Sequence, residues 1–325
     1  MLKFTVKTVC GAAVALALAG VGSAIAQSYP TRPVRLLVPF APGGGTDLVA
    51  RAVATKLGES LGTTVVVDNR PGANANIGNE LAAHALPDGY TLLMTSSALT
   101  INPNLYKKLP YDAVKDFAPI SLATNVPYIL AAHPSLGANT LQEFIAIARA
   151  KQKSISYGSA GTGNSTHLSM ELLKIVAKID IVHVPYKGTG QALTDLLGNH
   201  IQVFWATMPP TLPHVRAGRL KGLAVGSLKR AKAIPELTTV AELGYPGYEA
   251  GSWFGMLAPA GTPKPIVVRV SKELNTALSA PELNERLSAE GAEPSGNTPE
   301  EFAAFIKMEL VKWGKVAKAA GIERQ

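Results

Sequence analysis

Short hydrophobic runs alternate with amphipathic segments along the first third of the chain. Three apolar runs are predicted strands, at residues 34–38, 65–67 and 90–94. Between the first two, Val49, Val53 and Leu57 recur every four residues, which places them on one face of a helix. A second helical segment covers residues 77–85. This β-α-β-α-β order predicts a parallel sheet covered by helices.

The same kind of unit is predicted a second time after residue 125. Strands are expected at residues 128–132, 155–157, 181–184, 201–205 and 220–225. Thr140 and Glu143 form a capping box before a helix that ends near residue 150. Further helices are expected around Leu168 and Leu172 and at residues 191–197. The fold class is therefore α/β, with two lobes that each have a central sheet flanked by helices.

Two more helices are predicted near the end of the chain. Ile266, Val270 and Leu274 form one apolar stripe, and the sequence from Thr298 to Glu301 combines a capping box with proline at the first helical position. Because no third domain is indicated, we expect these helices to return to the first sheet. The chain would then cross between lobes near residues 120–128 and 248–259. The predicted lobes are residues 27–124 plus 248–325, and residues 125–247.

The N-terminal segment has the pattern of an export signal. Lys3 and Lys7 precede an apolar run at residues 9–21, and small residues ending in Ala26 complete a cleavage site. We predict a signal peptide over residues 1–26 and a periplasmic mature protein; the alternative is an uncleaved anchor. The one cysteine, Cys10, lies in this leader. The mature chain therefore has no thiol for a disulfide, a nucleophile or a thiolate metal site.

Charge and histidine spacing exclude several functional classes. The formal net charge is +8, but Lys and Arg are scattered without aromatic interleaving, which argues against nucleic acid. The six histidines form no metal-binding spacing, and no pair of carboxylates indicates acid–base chemistry. We therefore expect no metal, no cofactor and no enzyme activity.

A glycine-rich segment at residues 39–47 lies between the first predicted strand and its helix. Its three consecutive glycines let a ligand approach the backbone, and the helix N-terminus favours an anion. The alternative is a tight turn in which Thr46 or Asp47 caps the helix. The segment is neither a Walker loop nor a G-x-G-x-x-G motif, so no dinucleotide is indicated.

A second loop of this type, residues 157–167, follows a strand of the second series. It contains three glycines, an asparagine and several hydroxyls, and it ends at His167. Ser96 follows the third strand of the first series. Since ligands of open α/β sheets bind at the carboxyl ends of strands, we expect the two loops to face each other across a cleft.

Ordered motifs over nearly the whole mature chain resemble the Bug family, the extracytoplasmic receptors of tripartite tricarboxylate transporters. They are Tyr-Pro-Thr-Arg-Pro at 29–33, Val-Pro-Phe-Ala-Pro-Gly-Gly-Gly-Thr-Asp at 38–47, Asn-Arg-Pro-Gly at 69–72, Pro-Asp-Gly-Tyr-Thr-Leu at 87–92, Leu-Pro-Tyr-Asp at 109–112, Tyr-Gly-Ser at 157–159, His-Val-Pro-Tyr-Lys-Gly at 183–188 and Ala-Pro-Ala-Gly-Thr-Pro at 258–263. The sequence departs from the family at residues 72–77, where paired glycines are common, and at the variable residues 164–166.

The resemblance implies a type II-like periplasmic-binding-protein fold with a hinge of two crossing strands, which closes on its ligand. It also implies that backbone amides, hydroxyls and waters hold the ligand carboxylate. The residues carried over to this chain, together with those of the two loops, are Phe40, Gly43, Gly44, Thr46, Asp47, Ser96, Ser159, Gly161, Thr162, Asn164, Ser165, His167, Tyr186 and Thr207.

The hypothesis that follows is a monomeric solute receptor. It would capture a small carboxylate, or a related amide or aromatic acid, and hand it to the membrane permease subunits of a tripartite tricarboxylate transporter. One alternative is a ligand sensor whose closed form binds a signalling partner. Another is a periplasmic serine hydrolase that uses Ser159 or Ser96 with His167. The identity of the ligand stays open.

Overall fold

The computed structural model describes residues 29–319, 321 and 324, so the predicted leader lies outside the described residues. The strands are β1 (Val34–Val38), β2 (Val65–Asn69), β3 (Thr91–Ser96), β4 (Phe117–Ala132), β5 (Ser156–Ser159), β6 (Val182–Pro185), β7 (Val203–Thr207), β8 (Lys221–Val225), β9 (Gly251–Pro259) and β10 (Glu293–Pro294). The helices are α1 (Gly45–Leu61), α2 (Asn76–Ala83), α3 (Ala98–Leu105), α4 (Leu141–Ala150), α5 (Ser165–Ala177), α6 (Thr189–Leu197), α7 (Met208–Arg216), α8 (Lys264–Ser279), α9 (Pro281–Ala289) and α10 (Pro299–Ala319).

The strands form a continuous mixed sheet in the order β2-β1-β3-β9-β4-β7-β5-β6. In its first half, β1 pairs in parallel with β2 and β3, and β9 is antiparallel to β3. In its second half, β5 pairs in parallel with β6 and β7. Two parallel units are therefore joined through the antiparallel strands β4 and β9, and we call these halves, with their helices, the first and second lobe.

Strand β4 belongs to both lobes. Its residues from Phe117 to Pro127 pair with β9, with two shifts in register, and those from Tyr128 to Ala132 pair with β7 and β8. The return connection leads directly into β9, which pairs with β3 in the first lobe. The two crossings are thus adjacent antiparallel strands, and these form the hinge that the resemblance implies.

The core of the first lobe confirms the apolar stripes predicted from the sequence. Val49, Val53 and Leu57 of α1 are fully buried against β1. Ile266 and Val270 of α8 lie in the same cluster. The C-terminal helices therefore do return to the first sheet, because their apolar faces complete the core that α1 covers only in part. The second lobe has its own apolar clusters on the two faces of its sheet.

Local signals located helix starts well but failed where proline lies inside the helix. At α10, Glu301 N donates to Thr298 Oγ1 at 3.2 Å and Thr298 N donates to Glu301 Oε2 at 2.9 Å, a complete capping box. By contrast, α3 contains Pro103 and α7 contains Pro213, and neither helix was predicted. Among the helices that the structure describes, none is long and apolar enough to cross a membrane.

Candidate functional site

The two glycine-rich loops meet at one cavity between the lobes. Its volume is about 30 Å³, which is room for one or two waters. The lining residues come from both lobes and from the hinge strands: Phe40, Ala41, Gly44, Gly45, Thr46, Ser96, Tyr128, Ala160, Asn164, Ser165, Thr166, Gly188, Thr189, Thr207, Ser252 and Phe254. We call this space the interlobe cavity.

Four helices begin at the wall of the interlobe cavity. Their N-cap residues are Gly44 for α1, Asn164 for α5, Gly188 for α6 and Thr207 for α7. All four line the cavity, and of the four only Asn164 caps its helix with its side chain. Each helix N-terminus carries a partial positive charge and backbone N–H groups without intrahelical acceptors, and α7 has fewer of these groups because Pro209 and Pro210 lie in its first turn. Their convergence makes the cavity attractive to an anion.

No acidic or basic side chain occurs among the residues that line the interlobe cavity, all of which the structure describes. Tyr128 is the one lining residue with a titratable side chain. Burial raises the pKa of Tyr128 to about 12, although hydrogen bonds with Ser165 and Ser252 oppose the shift. Its hydroxyl therefore stays protonated at neutral pH and remains available as a donor. The wall of this cavity therefore offers dipoles and hydroxyls rather than charged side chains.

Thr207 places an unsatisfied hydroxyl at the cavity. It is 4% exposed, and its Oγ1 has no hydrogen-bond partner within the protein. A buried polar atom without a partner costs free energy unless a bound molecule satisfies it. Thr207 is also the N-cap of α7 but does not cap that helix with its side chain. Its hydroxyl is therefore free to form a hydrogen bond with a bound ligand.

Asp47 holds the first loop in place from behind and does not line the cavity. Its Oδ2 accepts from Gly43 N at 2.9 Å and from Arg51 Nε at 3.1 Å, and its Oδ1 accepts from Asn69 Nδ2 at 2.9 Å. Burial by itself would raise the pKa of Asp47, but the hydrogen bonds from Arg51, Gly43 and Asn69 outweigh it and lower the pKa. The carboxylate stays charged and fixes the loop at Gly43, whose φ is +80°.

Two stacked imidazoles support the second loop in the same way. The rings of His167 and His183 are 4.0 Å apart and nearly parallel. His167 Nδ1 accepts from Gly163 N at 3.0 Å, and His183 Nε2 lies 2.6 Å from Ser159 Oγ. Burial lowers the pKa of both histidines, to about 4 for His183. Both rings are therefore neutral near pH 7.

The lobes are in contact around the interlobe cavity. A Cβ atom added to Gly44 would lie 2.9 Å from Thr189 Oγ1, and one added to Gly45 would lie 2.8 Å from Thr207 Oγ1. These distances are shorter than van der Waals contact, so glycine is required at both positions for the lobes to approach this closely. The structure is therefore a closed form.

The predicted site residues divide into two groups of equal size. The structure places seven at the cavity wall: Phe40, Gly44, Thr46, Ser96, Asn164, Ser165 and Thr207. The other seven do not line it: Gly43, Asp47, Ser159, Gly161, Thr162, His167 and Tyr186. Thr162 is exposed to solvent. The hydroxyl of Tyr186 donates to Asp195 at 2.7 Å, and Ser159 contacts His183 rather than His167.

Several lining residues were missed by reasoning from the sequence. Gly188 and Thr189 end the loop that follows strand β6 and begin helix α6. The Gly-Thr-Gly sequence at residues 188–190 was a usable signal, because it too precedes a predicted helix. Tyr128 and Ser252 lie on the hinge strands β4 and β9. No local sequence feature distinguishes these two from ordinary strand residues.

The fold and this interlobe cavity define a solute-binding receptor of the periplasmic-binding-protein class. The solved periplasmic binding protein BugD is 39% identical to the chain, with a TM-score of 0.88 over 91% of this chain and 100% of that one. The chain belongs to the tripartite tricarboxylate transporter family receptors, TctC, whose family model matches residues 49–322. This membership confirms both the expected family and the expectation that the protein is not an enzyme.

Two further relatives cover the chain almost from end to end. Protein BugT of Bordetella pertussis is 38% identical over 309 residues, which are 94% of this chain and 95% of BugT. The structure of R. palustris Rpa4515 with adipate is 36% identical, with a TM-score of 0.89 over 91% of this chain and 100% of that one. The chain is thus similar along its length to a protein whose structure was solved with adipate, a dicarboxylate.

Proposed function

We propose that this protein is a periplasmic receptor that captures a small organic acid in the interlobe cavity and delivers it to a tripartite tricarboxylate-type permease. One observation carries the proposal: four helix N-termini converge on a cavity whose wall has no acidic or basic side chain. Such a cavity attracts a carboxylate without binding it as an ion pair. The adipate in the structure of Rpa4515 supports a carboxylate as the ligand.

The residues in contact with the ligand would come from both lobes. The first lobe contributes Gly44, Gly45 and Thr46 at the start of α1, and the second contributes Asn164 and Ser165 at the start of α5. Thr207 adds the unpaired hydroxyl described above. N–H and O–H donors in a dry cavity act in a low dielectric, where each hydrogen bond to a charged oxygen is stronger than in water.

The ligand enters by opening of the lobes. A volume of about 30 Å³ holds only one or two waters, so a dicarboxylate needs the lobes to separate and then to close around it. The hinge for this motion is the β4–β9 pair. We assign residues 27–124 and 248–325 to the first moving body and residues 125–247 to the second. The mature protein would act as a monomer after removal of residues 1–26.

A ligand screen by thermal shift, followed by calorimetry, tests this function. The panel contains adipate, malate, citrate and benzoate. Each acid is paired with its neutral amide, which keeps the shape of the acid and removes its charge. We expect at least one acid to raise the Tm, with a dissociation constant well below that of its amide.

Either of two outcomes would contradict the proposal. If no acid of the panel changed the Tm, or if the amides bound as tightly as the acids, the helix N-termini would not be selecting an anion. Delivery to a permease is tested separately, by uptake of the labelled ligand in cells with and without the receptor gene. Loss of uptake on deletion, restored by the intact gene, is the expected result.

A further inference from the structure

A loop of unusual backbone conformation faces the second lobe beside the interlobe cavity. Ala73, Asn74 and Ala75 have φ values of 45°, 53° and 73°. Three consecutive residues other than glycine in the left-handed region are unfavourable, although asparagine tolerates it better than alanine. This loop is therefore held by its surroundings, and Asn74 lies at its centre.

Asn74 is fixed within the first lobe by another buried asparagine. Its Nδ2 donates to Asn102 Oδ1 at 2.8 Å, and its backbone oxygen accepts from Asn102 Nδ2 at 2.7 Å. Asn102 is fully buried and donates also to Asn76 Oδ1 at 2.6 Å. Tyr111 donates to that same oxygen of Asn76 at 2.8 Å. These contacts leave the side-chain oxygen of Asn74 directed away from its own lobe.

That oxygen accepts a hydrogen bond from the other lobe. Asn164 Nδ2 donates to Asn74 Oδ1 at 3.2 Å. The opposite end of the same amide caps α5, because Asn164 Oδ1 accepts from Thr166 N at 3.1 Å. Asn164 also lines the interlobe cavity and is 4% exposed. One side chain thus joins the helix N-terminus at the cavity to a rigid loop of the opposite lobe.

An apolar contact lies next to this hydrogen bond. A Cβ atom added to Gly163 would lie 2.2 Å from Leu105 Cδ1, so the Leu105 side chain rests directly on the backbone of the second loop. Leu105 also packs in a buried cluster with Ile101, Trp313 and Leu168, and Leu168 belongs to the second lobe. The two lobes are therefore also in direct apolar contact outside the interlobe cavity.

We propose that Asn74 and Asn164 form a latch that favours the closed form without ligand and so increases the affinity for ligand. The hydrogen bond of the latch joins two protein side chains, so it forms without any atom of the ligand. Asn74 is a positioning residue, because it acts on binding through Asn164 and lobe closure. The same hydrogen bond also forms when the lobes close around ligand, so it stabilises the ligand-bound form relative to the open protein and lowers the dissociation constant. The effect on affinity rests on the proposed receptor function, whereas the effect on closure does not.

The test measures lobe closure and affinity in the same set of variants. Lys229 and Lys307 are exposed, one on each lobe. Since the mature sequence has no cysteine, Lys229→Cys with Lys307→Cys provides two unique sites for spin labels. Double electron–electron resonance between the two labels then gives the distribution of distances between the lobes. Asn74→Gly removes the latch, suits the left-handed backbone, and keeps the hydrogen bond from Asn102 to the backbone oxygen of residue 74.

We expect the ligand-free wild type to contain a closed population that falls in Asn74→Gly. The dissociation constant for adipate should rise about two- to tenfold, the range that one hydrogen bond supports. Asn164→Ser keeps a good N-cap but removes the donor. It should lower the closed population as Asn74→Gly does, and the double variant should show no further change.

The matched control is Asn199→Ala. Asn199 also has a left-handed backbone, with φ of 58°, and its side chain accepts one hydrogen bond, from Ser135 at 2.8 Å, on the second lobe alone. This variant should lose stability but keep the distance distribution and the affinity of the wild type. Identical distributions in wild type and Asn74→Gly would overturn the latch. A shifted distribution without adipate binding would retain the latch and count against adipate as the ligand.

Discussion

Thr207 Oγ1 of the second lobe lies against Gly45 of the first, so close that a Cβ atom on Gly45 would come within 2.8 Å of it. Gly45 is the first residue of α1, and Thr207 is the N-cap of α7. Closure therefore brings two helix N-termini together where the smallest residue is required. The contact between Gly45 and Thr207 thus limits how closely the lobes approach, and it places two partially positive helix ends at the cavity.

Gly45→Ala should weaken ligand binding without loss of folding. The added methyl group would meet Thr207 and the Phe254 ring in the closed form, while alanine in the first turn of a helix is no less favourable than glycine. We expect affinity to fall at least tenfold and the Tm of the ligand-free protein to stay the same or rise. Calorimetry and thermal melts measure both quantities.

Gly190→Ala is the control for that change, since Gly190 is also near the start of a helix at the cleft. A Cβ atom there would meet only ordinary contacts, the nearest at 3.6 Å. Affinity should remain near that of wild type. A similar loss of affinity in both variants would mean that the clash at Thr207 is not the cause.

Thr207→Val should reduce affinity for a carboxylate and leave stability unchanged or improved. Valine has nearly the same shape, and the hydroxyl that it replaces has no partner within the protein. Loss of one hydrogen bond to a charged ligand is expected to cost about 1.5–3 kcal/mol of binding free energy. Titration calorimetry with adipate measures the change.

Thr211→Val provides the matched comparison on the same helix. Thr211 is fully buried and its hydroxyl is also without a partner, but it does not line the cavity. We expect its affinity to equal that of wild type. Equal affinity in Thr207→Val and wild type would exclude the Thr207 hydroxyl from ligand binding.

Asp47→Asn should loosen the first loop. If the amide nitrogen replaces Oδ2, the acceptor for Gly43 N is lost, and if it replaces Oδ1, the acceptor for Asn69 Nδ2 is lost; part of the contact with Arg51 is lost in both cases. We expect about 1–3 kcal/mol less free energy of unfolding, measured by urea denaturation, together with weaker binding. Asp68→Asn disrupts a comparable pair with Arg35 away from the cavity. It should affect stability alone, and weaker binding in this control would contradict the specific role of Asp47.

Stability should fall as the pH drops from about 6.5 towards 4. Burial, the largest cause, and the neighbouring His167 together lower the pKa of His183 to about 4. Unfolded histidine takes up a proton near pH 6.5 while the folded ring stays neutral, so the unfolded state binds more protons in this window. Burial of the neutral His183 ring contributes its full stabilisation above the pKa of unfolded histidine. This stabilisation is lost as the pH falls from that value towards the pKa of folded His183.

Thermal melts between pH 8 and pH 4 test this dependence. The Tm of wild type should decrease over the acidic part of the range, and His183→Gln should flatten the decrease because glutamine does not titrate. His200→Gln changes an exposed histidine and should leave the slope intact. An unchanged slope in His183→Gln would show that another group controls the acid response.

Local patterns predicted much of the fold. The apolar run at residues 34–38 is β1 in full, and the capping box at Thr298 starts α10 as expected. These features depend on residues near each other in sequence. The helix α7 escaped prediction because its prolines at positions 209, 210 and 213 suggest a loop. In the structure, two of them occupy the first turn, where the missing N–H groups cost nothing.

The candidate site was predicted as two loops rather than as individual contacts. Glycine and hydroxyl content indicated both loops, and both reach one cavity. Asp47 and His167 were expected at that cavity because they are polar and lie at the ends of the two loops. The structure turns Asp47 towards Arg51 and His167 towards His183, since each finds its hydrogen-bond or stacking partner behind its loop.

The sequence by itself determined most of the elements, the family and the two loops, because periodicity, caps and glycine runs act over a few residues. Only the tertiary structure decided which side chains of those loops face the cavity and which support it. It also brought Thr189, Tyr128 and Ser252 to the wall and paired Asn74 with Asn164. Those arrangements depend on contacts between residues far apart along the chain, and no local pattern encodes their directions.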